Sequence, residues 1–366
     1  MRLCSLAIAN FRNIRSAAVE PGHRFNLIHG CNGQGKTNLL EAIYLLGSPR
    51  SFRPSRIPDL IRHDNSLAQI AGNVESGGVS NNIRLTIEAV GRKVEIDGKG
   101  VHKASELHGK LNAVVFSPDD TDMVRMGPES RRRYLDRAVY MGDLGYLHCW
   151  HAYQRILKQR NHLLKSSDRS GLDIWTEKLA ETGAELVERR IGFVAALDIK
   201  LQRYYATIAG NGESARLSYH STGVQSTERQ QICEELMLLF NRQQRTDERY
   251  GTTTAGPHRD DLLFMLDERL LKTFGSQGQQ KSFVLALKMA EMENLQEVFG
   301  EAPLLLLDDM SSELDADRNR NLMEFLTIRE VQVFITTTER SSALLSNAQH
   351  CAIFRMENGN LTFEGK

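Results

Sequence analysis

The sequence predicts an α/β fold assembled from both ends of the chain, with an α-helical lobe inserted between them. Three observations carry this. The glycine-rich segment Gly30 to Thr37 stands between a short apolar run and a helical pattern. A second apolar run, Leu304 to Leu307, ends in Asp308-Asp309 near the other end of the chain. Between about residues 121 and 250 the apolar residues take helical spacing and the strand patterns stop. The expected division is therefore 1–120 and 251–366 for the α/β part, and 121–250 for the inserted lobe.

Taken in order, Leu3 to Ile8 alternates as a strand does, and Arg24 to His29 is a short apolar run entering the glycine-rich turn. Thr37 to Leu46 places Leu39, Leu40, Ile43, Tyr44 and Leu46 at helical spacing. Ile83 to Ala89 and Lys93 to Ile96 alternate, with Asp97-Gly98 as a turn signal. Ala113 to Phe116 is a short apolar run closed by Ser117-Pro118. In the lobe, Trp150, Tyr153, Leu157 and Leu164 keep three-to-four spacing, as do Trp175, Leu179 and Leu186, and then Val194, Leu197 and Leu201. These helices are expected to be too short for a long coiled coil. Thr227-x-x-Gln230 resembles a capping box ahead of Ile232 and Leu236. Strand character is expected to return near Thr253, followed by a long helix from Ser282 to Phe299 and buried strands at Leu304–Leu307 and Val331–Thr337.

Length and composition bound the function. A chain of 366 residues allows two or three domains. The 41% hydrophobic and 25% charged fractions exclude intrinsic disorder, collagen-like repeats and a membrane bundle. Lys+Arg and Asp+Glu are 46 each, so global charge is silent about nucleic acid and only local patches can speak. The five cysteines form no C-x-x-C pair, which removes zinc ribbons and fits a reducing compartment. No apolar stretch approaches ~20 residues and no signal-peptide core opens the chain, so a cytosolic protein with no membrane partner is expected.

Gly30-Cys31-Asn32-Gly33-Gln34-Gly35-Lys36-Thr37 matches G-x-x-x-x-G-K-[ST], with the required strand before it and helix after it. Glycines let successive backbone N–H groups turn inward around phosphate oxygens, and the helix dipole adds to the attraction. Lys36 suits the β and γ phosphates of ATP, and the Thr37 hydroxyl suits Mg²⁺. The apolar strand Leu304–Leu307 delivers Asp308 as a second Mg²⁺ ligand. Asp309 follows, where a base or a residue polarising the attacking water is wanted. Lys36 and Asp309 are thus the catalytic candidates. Gly275-Ser276-Gln277-Gly278-Gln279-Gln280-Lys281 precedes the long helix. Ser276, Gly278 and the helix N-terminus read either as a second anion site or as an ordinary polar cap.

The order P-loop, helical insertion, Ser276–Gly278, acidic strand, then Ser312-Glu313-Leu314-Asp315 resembles an ABC-type ATPase head. Gln277 stands where that superfamily's S-G-G-Q signature has glycine. The resemblance implies a head-to-tail homodimer in which each signature caps the partner's nucleotide, with Asp315 as the D-loop aspartate. The superfamily's switch histidine is absent from Ile335-Thr336-Thr337-Thr338, so Thr337 is the candidate for the γ-phosphate.

A narrower resemblance rests on Asn10-Phe11-Arg12-Asn13, which is similar to the opening of SMC-like DNA-repair ATPases. Gly127-Pro128-x-x-Arg131-Arg132-Arg133-Tyr134-Leu135-Asp136, Leu157-Lys158-Gln159-Arg160-Asn161, and Gly256-Pro257-His258-Arg259-Asp260-Asp261-Leu262 are similar to motifs of the RecF family. Asp309 in place of the superfamily glutamate fits the same family. The match runs from residue 3 to residue 340. It implies a cytosolic ATPase that binds DNA, dimerises with ATP, and acts with RecR and RecO to load RecA at gaps. It also implies that Arg12 and Asn13 serve the nucleotide.

The residues alone speak less clearly about DNA. Residues 11–62 hold eight basic side chains (Arg12, Arg15, Arg24, Lys36, Arg50, Arg53, Arg56 and Arg62) against three acidic, a candidate phosphate-binding patch or a solvated face. Residues 121–250 hold 20 basic against 17 acidic, a nearly neutral lobe. The Arg131–Arg133 run cannot face one surface, and pairing with Asp136 or Glu129 is expected. His258 to Asp261 reads as a strand-entry turn with internal ion pairs, or as a metal site. The alternative functions are the ATPase subunit of a membrane transporter and a P-loop kinase. The transporter does not account for the motifs at 10–13 and 256–262, and the kinase leaves the Ser276–Gly278 signature unexplained.

Overall fold

The computed structural model describes every residue except 49, 54, 211, 310–315, 339–350 and 366. The chain divides into two compact units: residues 1–121 with 207–210 and 281–366, and residues 122–206 with 211–280.

The first unit opens with β1 (Arg2–Phe11) and β2 (Ile14–Val19), followed by β3 (Phe25–His29) and α1 (Lys36–Gly47). Strands β4 (Leu67–Ser76), β5 (Val79–Glu88), β6 (Gly91–Ile96) and β7 (Lys99–Gly100), the short α2 (Ala104–Leu107) and β8 (Ala113–Phe116) complete its first stretch. β1, β2 and β4–β7 form an antiparallel sheet in the order β2-β1-β4-β5-β6-β7. The one-sided burial of β4 and β5 explains their alternation: Ala68, Ile70 and Val74 point inward with Ile83, Leu85 and Ile87.

The second unit is mainly helical. It holds α3 (Asp122–Arg125), α4 (Pro128–Gly142), α5 (Leu144–Lys165), most of α6 (Leu172–Ala209) and α7 (Arg229–Tyr250). β9 (Ala215–His220), β10 (Asp261–Leu266) and β11 (Arg269–Leu270) make a small sheet within it, and α8 (Leu271–Phe274) follows. Because β10 pairs antiparallel with β9, residues 251–280 group with the second unit, and the chain returns to the first at Lys281 rather than at residue 251.

Three local expectations differ. α7 starts at Arg229 on Glu228 with no side-chain cap, so Thr227 and Gln230 form no capping box. Strand geometry begins at Asp261 rather than near Thr253, because residues 252–260 are taken up by a turn. α6 runs unbroken for 38 residues, its apolar groups at Leu179, Leu186, Val194, Leu197 and Leu201 lying on one buried stripe.

Back in the first unit come the C-terminal part of α9 (Gln277–Phe299), β12 (Leu304–Leu307), α10 (Ala316–Thr327), β13 (Val333–Thr337), β14 (Cys351–Glu357) and β15 (Asn360–Gly365). The second sheet has the order β15-β14-β3-β13-β12-β8; β14, β3, β13, β12 and β8 run parallel and β15 antiparallel. β12 lies in mid-sheet with every residue buried, which is why its sequence is uniformly apolar. Side chains of α1, including Leu40, Ile43 and Leu46, share one core with both large sheets. Parallel β3 and β12 therefore open at the same sheet edge, the usual place for a ligand in such sheets.

Candidate nucleotide site

The loop after β3 is shaped by backbone. Gly33 and Gly35 take φ of 79° and 113°, in the left-handed region that L side chains avoid. A Cβ on Gly30 would meet the Met356 carbonyl oxygen at 2.3 Å, and one on Gly35 the Asn13 amide at 2.6 Å. α1 then begins at Lys36 with no side-chain cap and no acidic residue in its first turn. Its leading N–H groups have no side-chain acceptor, the arrangement that accepts an anion. Gly30, Cys31, Asn32, Gly33, Gln34, Gly35, Lys36 and Thr37 thus form one loop-to-helix cradle.

Lys36 Nζ donates to the carbonyls of Gly30 (2.7 Å) and Cys31 (3.0 Å), curling over the loop. Burial pushes its ammonium below the ordinary value, opposed by the charges of Asp309 and Asp308. Thr37 Oγ1 lies 2.9 and 2.8 Å from the two carboxylate oxygens of Asp308. Asp308 is buried, and burial raises its carboxyl above the usual range against the hydrogen bonds of Thr336 and Thr37. The Thr37 hydroxyl and a dry carboxylate make an all-oxygen donor set, the chemistry a hard cation such as Mg²⁺ takes. The burial penalty on Asp308 is what a cation would relieve.

Asp309 has φ 49°, and its N–H donates to Thr336 Oγ1 (2.9 Å). The same hydroxyl donates to Asp308 (2.7 Å). Thr336 therefore holds the Asp308 carboxylate and the Asp309 backbone, one residue before Thr337, the candidate for the γ-phosphate. Thr337 is buried, and its carbonyl accepts from the Gly30 N–H at 3.3 Å. Alternation along β13 puts the two side chains on opposite faces.

Arg12 and Asn13 differ in what they reach. The Arg12 guanidinium grips fully buried Glu41 at 2.9 and 2.7 Å and the Asp59 carbonyl at 3.0 Å. Asn13 donates to the Gly33 carbonyl (3.3 Å) and accepts from Asn38 (2.9 Å), so it braces the loop. A further brace was invisible in the sequence: the β14–β15 turn. Asn358 N–H donates to Gln34 Oε1 (2.5 Å) and Gly359 N–H to the Gln34 carbonyl (3.0 Å). A Cβ on Gly359, at φ 74°, would stand 2.3 Å from the Asn13 carbonyl oxygen.

Ser276 heads α9 in the second unit. Its N–H donates to Gln279 Oε1 (2.7 Å), and its hydroxyl accepts from the Gln279 N–H (3.2 Å), a reciprocal capping box. Ser276 and Gln277 are exposed, with Gly278 half-buried. Asp315 lies outside the described residues.

The remaining motifs converge inside the second unit. Gly127-Pro128 starts α4 with proline in its first turn. Arg131 grips Asp261 (2.8 Å twice), Arg132 donates to the Asp260 carbonyl (2.8 Å), and Arg133 reaches Glu129 at 4.0 Å. Asp136 is taken by buried Arg190 (2.7 Å), Tyr146 and Trp150 rather than by its arginine neighbours. Arg160 pairs with Asp247 (2.8 Å) and donates to Thr253 (2.7 Å). His258 Nε2 donates to the Thr253 carbonyl (3.1 Å), which leaves Nδ1 to accept from Tyr153 (2.8 Å). The 258–261 turn thus pairs outward with α4, α5 and β9, and not internally as expected. Among the described residues no cluster of metal-ligating side chains occurs.

The family model for the RecF/RecN/SMC N-terminal domain matches residues 2–362. The DNA replication and repair protein RecF of Trichlorobacter lovleyi is 50% identical over 365 residues, covering 100% of this chain and 99% of that protein. RecF of Geobacter sulfurreducens is 47% identical over 99% of this chain and 100% of its own. This chain belongs to the RecF family. A solved structure of the recombination mediator protein RecF-ATPrS in the RecFOR pathway superposes with a TM-score of 0.90 at 32% identity, covering 100% of this chain and 98% of that one. An Smc head domain from Pyrococcus furiosus superposes at 0.58 with 18% identity over 99% of this chain and 95% of its own, a likeness of fold alone. Membership explains the order in which P-loop, lobe and acidic strand follow one another. Among the described residues no helix is long and apolar enough to cross a membrane.

Proposed function

We propose that this RecF-family chain is an ATP-driven switch of recombinational DNA repair. It binds ATP with Mg²⁺, closes as a head-to-tail homodimer, hydrolyses ATP slowly, and with RecO and RecR helps load RecA at DNA gaps. One observation carries the nucleotide part: the Thr37 hydroxyl lies against the buried Asp308 carboxylate beside an uncapped helix N-terminus. The partners come from the family and from relatives named for the RecFOR pathway.

Lys36 exchanges two carbonyl bonds for β- and γ-phosphate oxygens, and the first-turn N–H groups of α1 hold the rest of the phosphate chain. Thr37 and Asp308 would hold Mg²⁺, which neutralises phosphate charge when bound. Asp309, fixed in a left-handed conformation by its N–H bond to Thr336, orients the attacking water. Its side chain is one methylene shorter than glutamate, so turnover below the ~10 s⁻¹ enzyme median is expected. Ser276, exposed at the head of α9, supports the reading in which it caps the nucleotide of a second copy.

Ser276→Arg tests the switch, because a two-fold dimer repeats the interface and one substitution removes both contacts. Light scattering should show near-normal ATP binding with no ATP-dependent dimer. Persistent dimerisation of this variant would reduce Ser276 to a helix cap.

A further inference from the structure

Four of the eight basic side chains in residues 11–62 are engaged within the fold. Arg12 is held by Glu41, Arg24 by the carbonyls of Leu326, Thr327 and Arg329, Lys36 by the P-loop, and Arg53 by Asn38 (3.1 Å). The second unit is nearly neutral as a whole, but its charges are sorted by helix. α5 contains no aspartate or glutamate along its 22 residues. His148, His151, Arg155, Lys158, His162 and Lys165 are all exposed. They follow one another at spacings of three and four, so they share a single face, opposite buried Tyr146, Tyr153, Leu157 and Leu164. Arg155, Lys158 and Lys165 have no carboxylate at ion-pair distance among the described residues, although Arg169, just beyond the helix, pairs with Glu248. The acids lie elsewhere: Asp173, Glu177 and Glu181 are exposed at four-residue spacing on α6.

We infer that the solvent face of α5 is a contact surface for a nucleic-acid backbone. The inference rests on the DNA-binding part of the function proposed above. The row of cations and imidazoles extends ~25 Å along the helix axis. A duplex presents about one negative charge per 1.7 Å of its own axis, so such a row meets several phosphates in one docking. The alternative occupant, an acidic protein surface, fits less well. Protein interfaces are anchored by buried aromatic and aliphatic groups with few charges at the centre, and this face offers cations and imidazoles with no apolar anchor among them. Nor does the face select bases, since phosphate contacts position a nucleic acid without reading its sequence.

The test uses the full-length chain and the triple variant Arg155→Ala/Lys158→Ala/Lys165→Ala, with the charge-conserving Arg155→Lys/Lys158→Arg/Lys165→Arg as its partner. Affinity for a labelled duplex, and for a single strand of the same length, is measured between 50 and 200 mM salt. Three lost phosphate contacts flatten the log–log duplex slope by up to about 2.7. Over that salt range the parent should lose about 40-fold more affinity than the triple variant. The slope change should be smaller on single strands, at about 0.7 per contact. The charge-conserving variant should match the parent, and basal ATP hydrolysis should not change in either. Poly-glutamate at equal charge should compete poorly. A parent that binds DNA with the same slope and affinity as the triple variant overturns this inference and leaves the proposed function standing. A parent that binds neither nucleic acid, with or without ATP, overturns both. Equal displacement by poly-glutamate overturns the nucleic-acid assignment of the surface.

Discussion

The nucleotide site and the polar core of the second unit use the same side-chain chemistry to opposite ends. In the buried core of the helical unit Arg160, Asp247 and Arg190 each meet a countercharge. Arg160 is 1% exposed against Asp247 at 0%, and Arg190 is closed by Asp136, two tyrosines and the Pro257 carbonyl. At the P-loop the polar groups are left in interim arrangements. Lys36 rests on its own loop, buried Asp308 has only hydroxyl partners for its carboxylate among the described residues, and α1 has no side-chain cap. A polar group satisfied within the fold gives rigidity; one held dry and underpaired is poised for a ligand.

The comparison breaks first on stability. Arg160→Leu leaves the Asp247 carboxylate buried without its cation, a loss of about 3–5 kcal/mol. Denaturant unfolding should show that loss while ATP affinity of the folded fraction stays at the parent's value. A parallel fall in ATP affinity would mean that the two regions are not separate.

His258 supplies a milder version. Burial, helped by the charges of Arg259 and Arg132 and opposed by the Thr253 hydrogen bond and Asp247, sets its pKa down to about 4 from 6.5. Protons then bind the unfolded chain first. The stability this group contributes is full above pH 6.5 and is lost as pH falls from 6.5 towards 4, by roughly 3 kcal/mol. His258→Gln should flatten that part of the parent's stability–pH curve. An identical slope in both proteins would place the acid sensitivity elsewhere.

At the nucleotide site the effects should appear in binding and not in stability. Lys36→Met keeps the side chain's length and removes its ammonium. ATP affinity should fall by at least about 100-fold, the scale of charge-assisted bonds to phosphate, with an unchanged unfolding midpoint. Gly359→Val is the finest probe. The added carbons strain a positive-φ turn and press on the Asn13 carbonyl, so the P-loop loses its outer brace. Calorimetry should show ATP binding weaker by about tenfold with the melting temperature nearly kept.

Much of the α/β frame was legible because its signals are local. Gly30 to Thr37 and Leu304 to Asp309 carry their geometry in their spacing, and both came out on the expected elements. Pairing partners were not legible. The Arg131–Arg133 run was expected to pair largely within its own helix, yet Arg131 meets Asp261, 130 positions away. Glu41 is one acid in an apolar helix, and nothing in the sequence points from it to Arg12. Thr336 and Thr337 are chemically the same residue, and only the register of β13 decides which hydroxyl reaches the Asp308 carboxylate and the Asp309 N–H.

The sequence by itself determined the phosphate cradle, the acidic strand, the inserted helical lobe and the family, because each follows from residue types at fixed short separations. The tertiary structure decided the rest. It made the C-terminal turn at Asn358-Gly359 part of the P-loop, drew residues 251–280 into the helical unit through β9–β10 pairing, and closed three distant motifs into one buried network. The physical reason is range. Backbone propensity and side-chain periodicity act over a few residues, whereas hydrogen bonds and ion pairs join whatever the packed chain brings within ~3 Å.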